Sequence, residues 1–277
     1  MPLPENFQFS ASSLQDYVDC PRRFELRYLL RLSWPALETE PVLEREHHQE
    51  QGHRFHQMVQ QHLIGFPPDQ LASLADTPEL QRWWQNYLNN TVLDELPPQR
   101  QVEQPLSLSM NGFRITAQFD LLAVQPGQRA VIVDWKTSAH ITPRSTLIRR
   151  IQTRLYPLVL CLAARDARFG APLSPDQVEM IYWFTDYPND PQRFPYTAAQ
   201  MAADQKEIER LILHITRRQP GDFPLTANEQ RCQFCRYRSL CQRGVQAGDW
   251  QNLEASGEQA SGNNFDLDFD QVVEIDF

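Results

Sequence analysis

Apolar residues recur at helical spacing through the first ninety positions and then switch to strict alternation. Leu14, Tyr17 and Val18 share one face of a first helix, for which Ser12 is the N-cap and Gln15 completes a capping box. Phe24, Tyr28 and Leu32 continue the helical spacing beyond Cys20-Pro21. A second helix is predicted from Glu46 to Ile64 with Phe55, Val59 and Leu63 as its stripe, and a third from Leu80 to Val92 carrying Trp83, Trp84 and Tyr87. From about Gln101 the period becomes two. Leu106, Leu108 and Met110 alternate, Asn111-Gly112 marks a hairpin turn, and Phe113, Ile115, Ala117 and Phe119 alternate again. Pro126-Gly127 is the next turn, and Ala130 to Val133 is a continuous apolar run. Helix returns at Leu147 to Arg168, a strand follows at Val178 to Phe184, and Ala198 to Arg218 reads as a long amphipathic helix. This order predicts an α/β fold, a central mixed β-sheet flanked by helices. No internal repeat interrupts it.

Two carboxylates emerge where adjacent strands end. Asp120 closes the second alternating run, and Asp134-Trp135-Lys136 follows the apolar one. Two acids and a lysine at such a place suit metal-dependent phosphodiester hydrolysis. A divalent ion neutralises the phosphate and lowers the pKa of bound water, and an ammonium stabilises charge developing in the transition state.

Charge sharpens this picture once it is located. The 277 residues carry a formal net charge of −9, which by itself disfavours a nucleic-acid binder. Arg243 is the last basic residue, however, and seven acids lie between Glu254 and Asp276. Taking those seven from the 35 acids leaves 28 against 26 bases, a nearly neutral body able to carry an arginine-lined groove. Arg22, Arg23, Arg144, Arg149, Arg150 and Arg154 are candidates for phosphate contacts, each set against the commoner alternative of solvated surface. There is no run of roughly 18 apolar residues and no basic, apolar leader, so a cytoplasmic protein is expected.

Five cysteines in a chain of this length do not make a disulfide scaffold. Cys232-x2-Cys235-x5-Cys241 offers three thiolates from one short loop, and Cys20 supplies a fourth from the other end of the chain. Four soft ligands satisfy tetrahedral zinc or a four-iron cluster, and spacing alone does not choose. Cys161, inside an apolar run, fits a small buried side chain. Five of the seven histidines fall on the second helix. In Gly52-x-x-Phe55-His56 an imidazole stands beside an apolar anchor and could reach a divalent ion, with His53 the competitor one turn away.

Taken in order, Ser10-x-Ser12-Ser13-Leu14-x-x-Tyr17-x-x-Cys20-Pro21-x-x-Phe24, Gly52-x-x-x-His56, Asp120, Asp134-x-Lys136, Gln152-x-x-x-Tyr156 and the three late cysteines make a specific pattern spanning residues 10 to 241. The chain resembles PD-(D/E)XK nucleases of the RecB/AddB-like group, which includes the iron–sulfur CRISPR adaptation nucleases. The resemblance implies a restriction-endonuclease-like core in which His56, Asp120, Asp134 and the Trp135 carbonyl bind Mg²⁺ or Mn²⁺ and Lys136 is the catalytic lysine. Gln152 and Tyr156 are carried over as the helix motif that lines the site and meets the DNA, with Glu103 a further but weaker carboxylate candidate. Cys20, Cys232, Cys235 and Cys241 are implied to hold a [4Fe-4S] cluster joining the chain ends.

The expectation is a deoxyribonuclease acting on single-stranded ends in DNA repair or processing, with residues 1–250 as the nuclease domain and 251–277 as an acidic flexible tail. AddB-type subunits are far longer and partnered with a helicase, whereas this sequence has no G-x-x-x-x-G-K-[ST] motor motif. Any helicase or other protein partner would therefore be separate, and the acidic, apolar-rich tail could be its docking segment, a fold-back cover on an arginine-lined groove, or a disordered solubilising end. A DNA-binding adaptor with a decayed site and a zinc-stapled interaction protein are the rival readings. Trp83 and Trp84 could stack unpaired bases, although aromatics at helical spacing more often pack a core.

Overall fold

The computed structural model describes residues 3–4, 6–32, 40–138, 140–164, 171–233, 235–246 and 248, with backbone alone at 40–46. The tail at 251–277 lies outside them. The chain opens with a two-residue strand β1 (Gln8–Phe9), helix α1 (Ala11–Asp19) and a short α2 (Pro21–Phe24) that runs into a π-helical turn. Helices α3 (Glu40–Leu63), α4 (Pro68–Ala72) and α5 (Pro78–Leu88) follow. Next come strands β2 (Gln99–Met110), β3 (Phe113–Gln125) and β4 (Arg129–Lys136), then helices α6 (Arg144–Leu147) and α7 (Ile151–Ala163). Strands β5 (Val178–Phe184) and β6 (Tyr187–Pro195) and helices α8 (Ala198–Thr216) and α9 (Gln230–Gln233) complete the fold.

Local chemistry explains most of these boundaries and corrects some expected ones. Ser10, not Ser12, caps α1: its hydroxyl accepts from the Ser13 amide while Ser13 returns the bond to the Ser10 N–H. Gln15 instead reaches across to accept the Ile151 N–H, so it satisfies the first turn of α7. Val18 points to solvent, 45% exposed, while Leu14 and Tyr17 are buried. Thr77 caps α5 with Pro78 at its first position, two residues ahead of the predicted start. The single helix expected over 147–168 is broken, because Arg150 adopts extended geometry between α6 and α7, and residues 165–170 are outside the described set.

The described residues form a six-stranded sheet with mixed pairing, consistent with a restriction-endonuclease-like α/β core. Strand β3 pairs with β2 along nearly its whole length. On its other edge it is parallel to β1 at Arg114–Ile115 and antiparallel to β4 from Leu121 onward. Strand β5 is parallel to β4, with Asp134 opposite Tyr182, and β6 closes the edge. Alternation along β4 and β5 divides two cores. Ala130, Ile132, Met180 and Tyr182 pack under α1, α7 and α8, while Val131, Val133, Trp135, Ile181 and Trp183 pack under α3 and α5. Trp83 and Trp84 are buried in the second core, which answers the question of base stacking in favour of packing. Among the described residues no helix is long and apolar enough to cross a membrane.

Candidate active site

Strand β3 changes face at Asp120. Ile115, Ala117 and Phe119 belong to the first core, yet so do Leu122 and Val124, and Leu121 belongs to the second. The β2–β3 ladder runs from Val102–Leu121 to Gln104–Phe119 without the intervening pair, and Glu103 on β2 has a φ of 49°, in the left-handed region. This one-residue break turns the side chains of Glu103 and Asp120 out of the alternating pattern, as bulge-like distortions beside functional sites do. It lies where β4 splays away, since the β3–β4 ladder begins only at Leu121–Val133. The Asp120 carboxylate accepts the Trp135 N–H at 2.8 Å, in place of a ladder partner.

Helix α3 crosses over this gap and supplies His56. Its Nδ1 is 3.5 Å from Asp120 Oδ2, and ligand atoms of His56, Glu103 and Asp120 all lie within 4.8 Å of one another. Gln118 donates to Glu103 Oε2 at 2.6 Å and fixes that carboxylate. Burial favours a neutral imidazole at His56, but Asp120 beside it, with Asp134 and Glu103 beyond, outweighs burial and raises its pKa. Burial likewise pushes Asp120 toward protonation, and His56 and the Trp135 amide overcome it to hold the carboxyl below the usual range. Glu103 is raised by burial and by the Asp120 charge. Three such groups converging on a half-buried spot present a nitrogen and carboxylate oxygens, a donor set that suits a divalent cation.

The remaining predicted residues form an adjoining, deeper unit. Lys136 Nζ is 2.7 Å from Asp134 Oδ2 and donates to Gln152 Oε1 at 3.2 Å, while Gln152 Nε2 donates to Asp134 Oδ1 at 2.5 Å. Gln152 comes from the first turn of α7, so the helix and the β4 end are closed into one triangle. Burial raises the Asp134 pKa, and the adjacent Lys136 only partly offsets it. Tyr182, which the sequence presents as plain strand core, also serves this unit: its ring lies 5.4 Å below Lys136 Nζ and its hydroxyl bonds Thr153 at 2.7 Å. Tyr156 lies one turn further along α7 than Gln152. It is 4% exposed, with its ring edge-on to Phe119 at 5.2 Å.

Among the other histidines, His53 bonds Gln57 at 2.8 Å and His62 bonds Tyr87 at 3.0 Å. His48 is buried against Trp83 and pairs with Glu79 at 3.3 Å, so it is a core residue and not a surface one. Several candidate phosphate arginines are already engaged. Arg22 pairs with Glu25, Arg23 is buried between Asp16 and Asp19, and Arg154 bonds Asp204. Arg144 and Arg149 remain exposed, with the Arg144 guanidinium 4.2 Å over the Phe194 ring.

A family model of the PD-(D/E)XK nuclease superfamily matches residues 8–242, a span that takes in every element above. The chain belongs to the PD-(D/E)XK nuclease superfamily. No curated protein matches this nuclease-family sequence. A crystal structure from Eubacterium rectale, provisionally named an exonuclease, aligns over 91% of this chain and 94% of its own with TM-score 0.54 and 12% identity, a likeness of fold. The structure of the protein SSO0001 aligns over 86% and 87% with TM-score 0.38 and 12% identity.

In this superfamily member the segment after α1 also meets the segment around α9. Cys20, Cys232, Cys235 and Cys241 line one cavity with Arg23 and Tyr237. All four are free thiols, as is Cys161, which is buried in the first core. Burial pushes the Cys235 thiol up to about 11 despite Arg23, and raises Cys241 as well. Four convergent thiols from two ends of the chain are a donor set that fits a soft metal centre.

Proposed function

We propose that this protein is a metal-dependent deoxyribonuclease that hydrolyses phosphodiester bonds at single-stranded DNA ends, in DNA repair or processing in the cytoplasm. The observation that carries the reading is the juxtaposition of the His56–Glu103–Asp120 group with the buried Asp134–Lys136–Gln152 triangle. His56, Glu103 and Asp120 would hold Mg²⁺ or Mn²⁺, joined by Asp134 and the Trp135 carbonyl as the sequence resemblance implies. The bound ion would supply neutralisation of phosphate charge and a lowered pKa for a bound water.

The chain's own groups then divide the work. Asp134 and Gln152 hold the Lys136 ammonium in one orientation, so it can stabilise negative charge on the phosphate in the transition state without reorganising. The Trp135 amide fixes the Asp120 carboxylate in the same way. Tyr156 acts through Phe119, which precedes Asp120, as a positioning residue. Completeness of the acid, histidine and lysine set favours an active enzyme over a decayed adaptor.

The reading extends to the cysteine cavity, where Cys20, Cys232, Cys235 and Cys241 would hold a [4Fe-4S] cluster that ties residues 1–250 into one domain. The four thiols as a donor set fit tetrahedral zinc or a four-iron cluster, and the sequence resemblance is what favours iron. The acidic segment from Glu254 onward is left for a partner such as a helicase. The test is digestion of end-labelled single- and double-stranded DNA with Mg²⁺, Mn²⁺ or EDTA, alongside iron and zinc analysis of anaerobically purified protein. Metal-dependent release of short products from single-stranded ends is expected; no cleavage with either ion overturns the reading.

A further inference from the structure

Gly52 lies on α3, one helical turn before His56, and is buried. A Cβ at this position would sit 2.7 Å from Thr137 Oγ1, 3.6 Å from Thr137 Cβ and 3.8 Å from Thr137 Cγ2. Only the first of these is an impossible contact, so a methyl group there forces α3 or Thr137 to move. Thr137 is β-branched and stiff at its first torsion, and two of its three staggered positions hold heavy atoms. Glycine is otherwise a poor choice inside a helix, where alanine is the best. Its presence at a buried helix position calls for a reason of geometry.

Thr137 directly follows Lys136, and the Lys136 carbonyl is itself fixed by the Thr185 N–H at 2.9 Å, so the end of β4 is not free to retreat. The spacing of α3 from that end sets the distance of His56 from the sheet carboxylates. We propose that Gly52 is a positioning residue, a spacer whose missing Cβ lets α3 lie close enough to Thr137 for His56 to join Glu103 and Asp120 in binding a divalent cation. The inference rests on reading those three groups as a cation site. Such constellations tolerate displacements of only about 0.5 Å, less than a methyl group needs here.

The test is Mn²⁺ binding by the full chain, followed by electron paramagnetic resonance of the free ion, in wild type, Gly52→Ala, Thr137→Ala and the double variant. Gly52→Ala is expected to weaken Mn²⁺ binding by about 10–100-fold, the range for residues that orient metal ligands. Its unfolding midpoint should not fall in step, because alanine favours the helix. Thr137→Ala alone should bind as wild type, and in the double variant it should restore most of the lost affinity. Equal Mn²⁺ binding by wild type and Gly52→Ala, or a loss that Thr137→Ala does not rescue, overturns the spacer. Failure of wild type to bind Mn²⁺ at all is a different result and sinks the cation site on which the spacer depends.

Discussion

Replacing Lys136 by alanine should do two separable things. The Lys136 and Asp134 side chains are 11% and 6% exposed and 2.7 Å apart, so solvent screens the pair very little. Removing one member of a buried pair leaves the other charge uncompensated, at a cost of about 3–5 kcal/mol. Asp134 keeps the Gln152 amide at 2.5 Å, which places the expected loss near the lower end, about 3 kcal/mol. The loss must depend on pH. Burial already raises the Asp134 pKa, and without Lys136 it rises further. A carboxyl whose folded pKa is raised contributes most to stability below its unfolded value and loses that contribution as pH rises through the folded value. The stability gap between wild type and Lys136→Ala should therefore be wide at pH 8 and narrow at pH 5, measured by urea unfolding in EDTA. At pH 8 with Mg²⁺, cleavage should fall about 10²–10³-fold through loss of the transition-state cation, with DNA binding retained. An unfolding midpoint equal to wild type at both pH values, together with an undiminished rate, would refute both the buried pair and the catalytic role.

Three further outcomes follow from the same geometry. Glu103→Gln should lower Mn²⁺ affinity at least about tenfold by calorimetry while leaving the metal-free protein no less stable, since it removes a carboxylate that Asp120 repels. Mn²⁺ affinity should fall as pH drops through the raised His56 pKa, because the proton competes with the ion for the ring, and Asp120→Asn should shift that fall to lower pH. Cys20→Ser should turn an anaerobically purified brown protein pale and more sensitive to protease, as it frees the amino-terminal segment from the carboxy-terminal loop; a colourless wild type with stoichiometric zinc decides against the cluster.

Much of the fold was legible in local periodicity. The β2–β3 hairpin around Asn111-Gly112, strand β5 and helix α8 stand close to where alternation and helical stripes put them. Two strands escaped for physical reasons. β1 is only two residues long and exists by pairing with β3, and β6 carries Pro188, Pro191 and Pro195, which read as loop but are tolerated on an edge. The histidines show the same division. Among five on one helix, sequence context singled out His56 as the candidate ligand, and only packing sends His48 into the core and brings His56 beside Asp120.

By itself the sequence determined which chemistry is present. Asp120 and Asp134-x-Lys136 at the ends of apolar runs, and cysteines grouped near the two chain ends, follow from residue type and spacing, which are local properties. Tertiary structure decided the contacts and the burial of those groups. It drew Glu103 to His56 and Asp120 through a left-handed residue and a missing ladder pair, closed Asp134 onto Lys136 and Gln152, and withdrew Tyr156 into the core. Proximity and burial set which carboxylates repel, which are paired and which can share a cation, and both are fixed only when strands distant in sequence come into register.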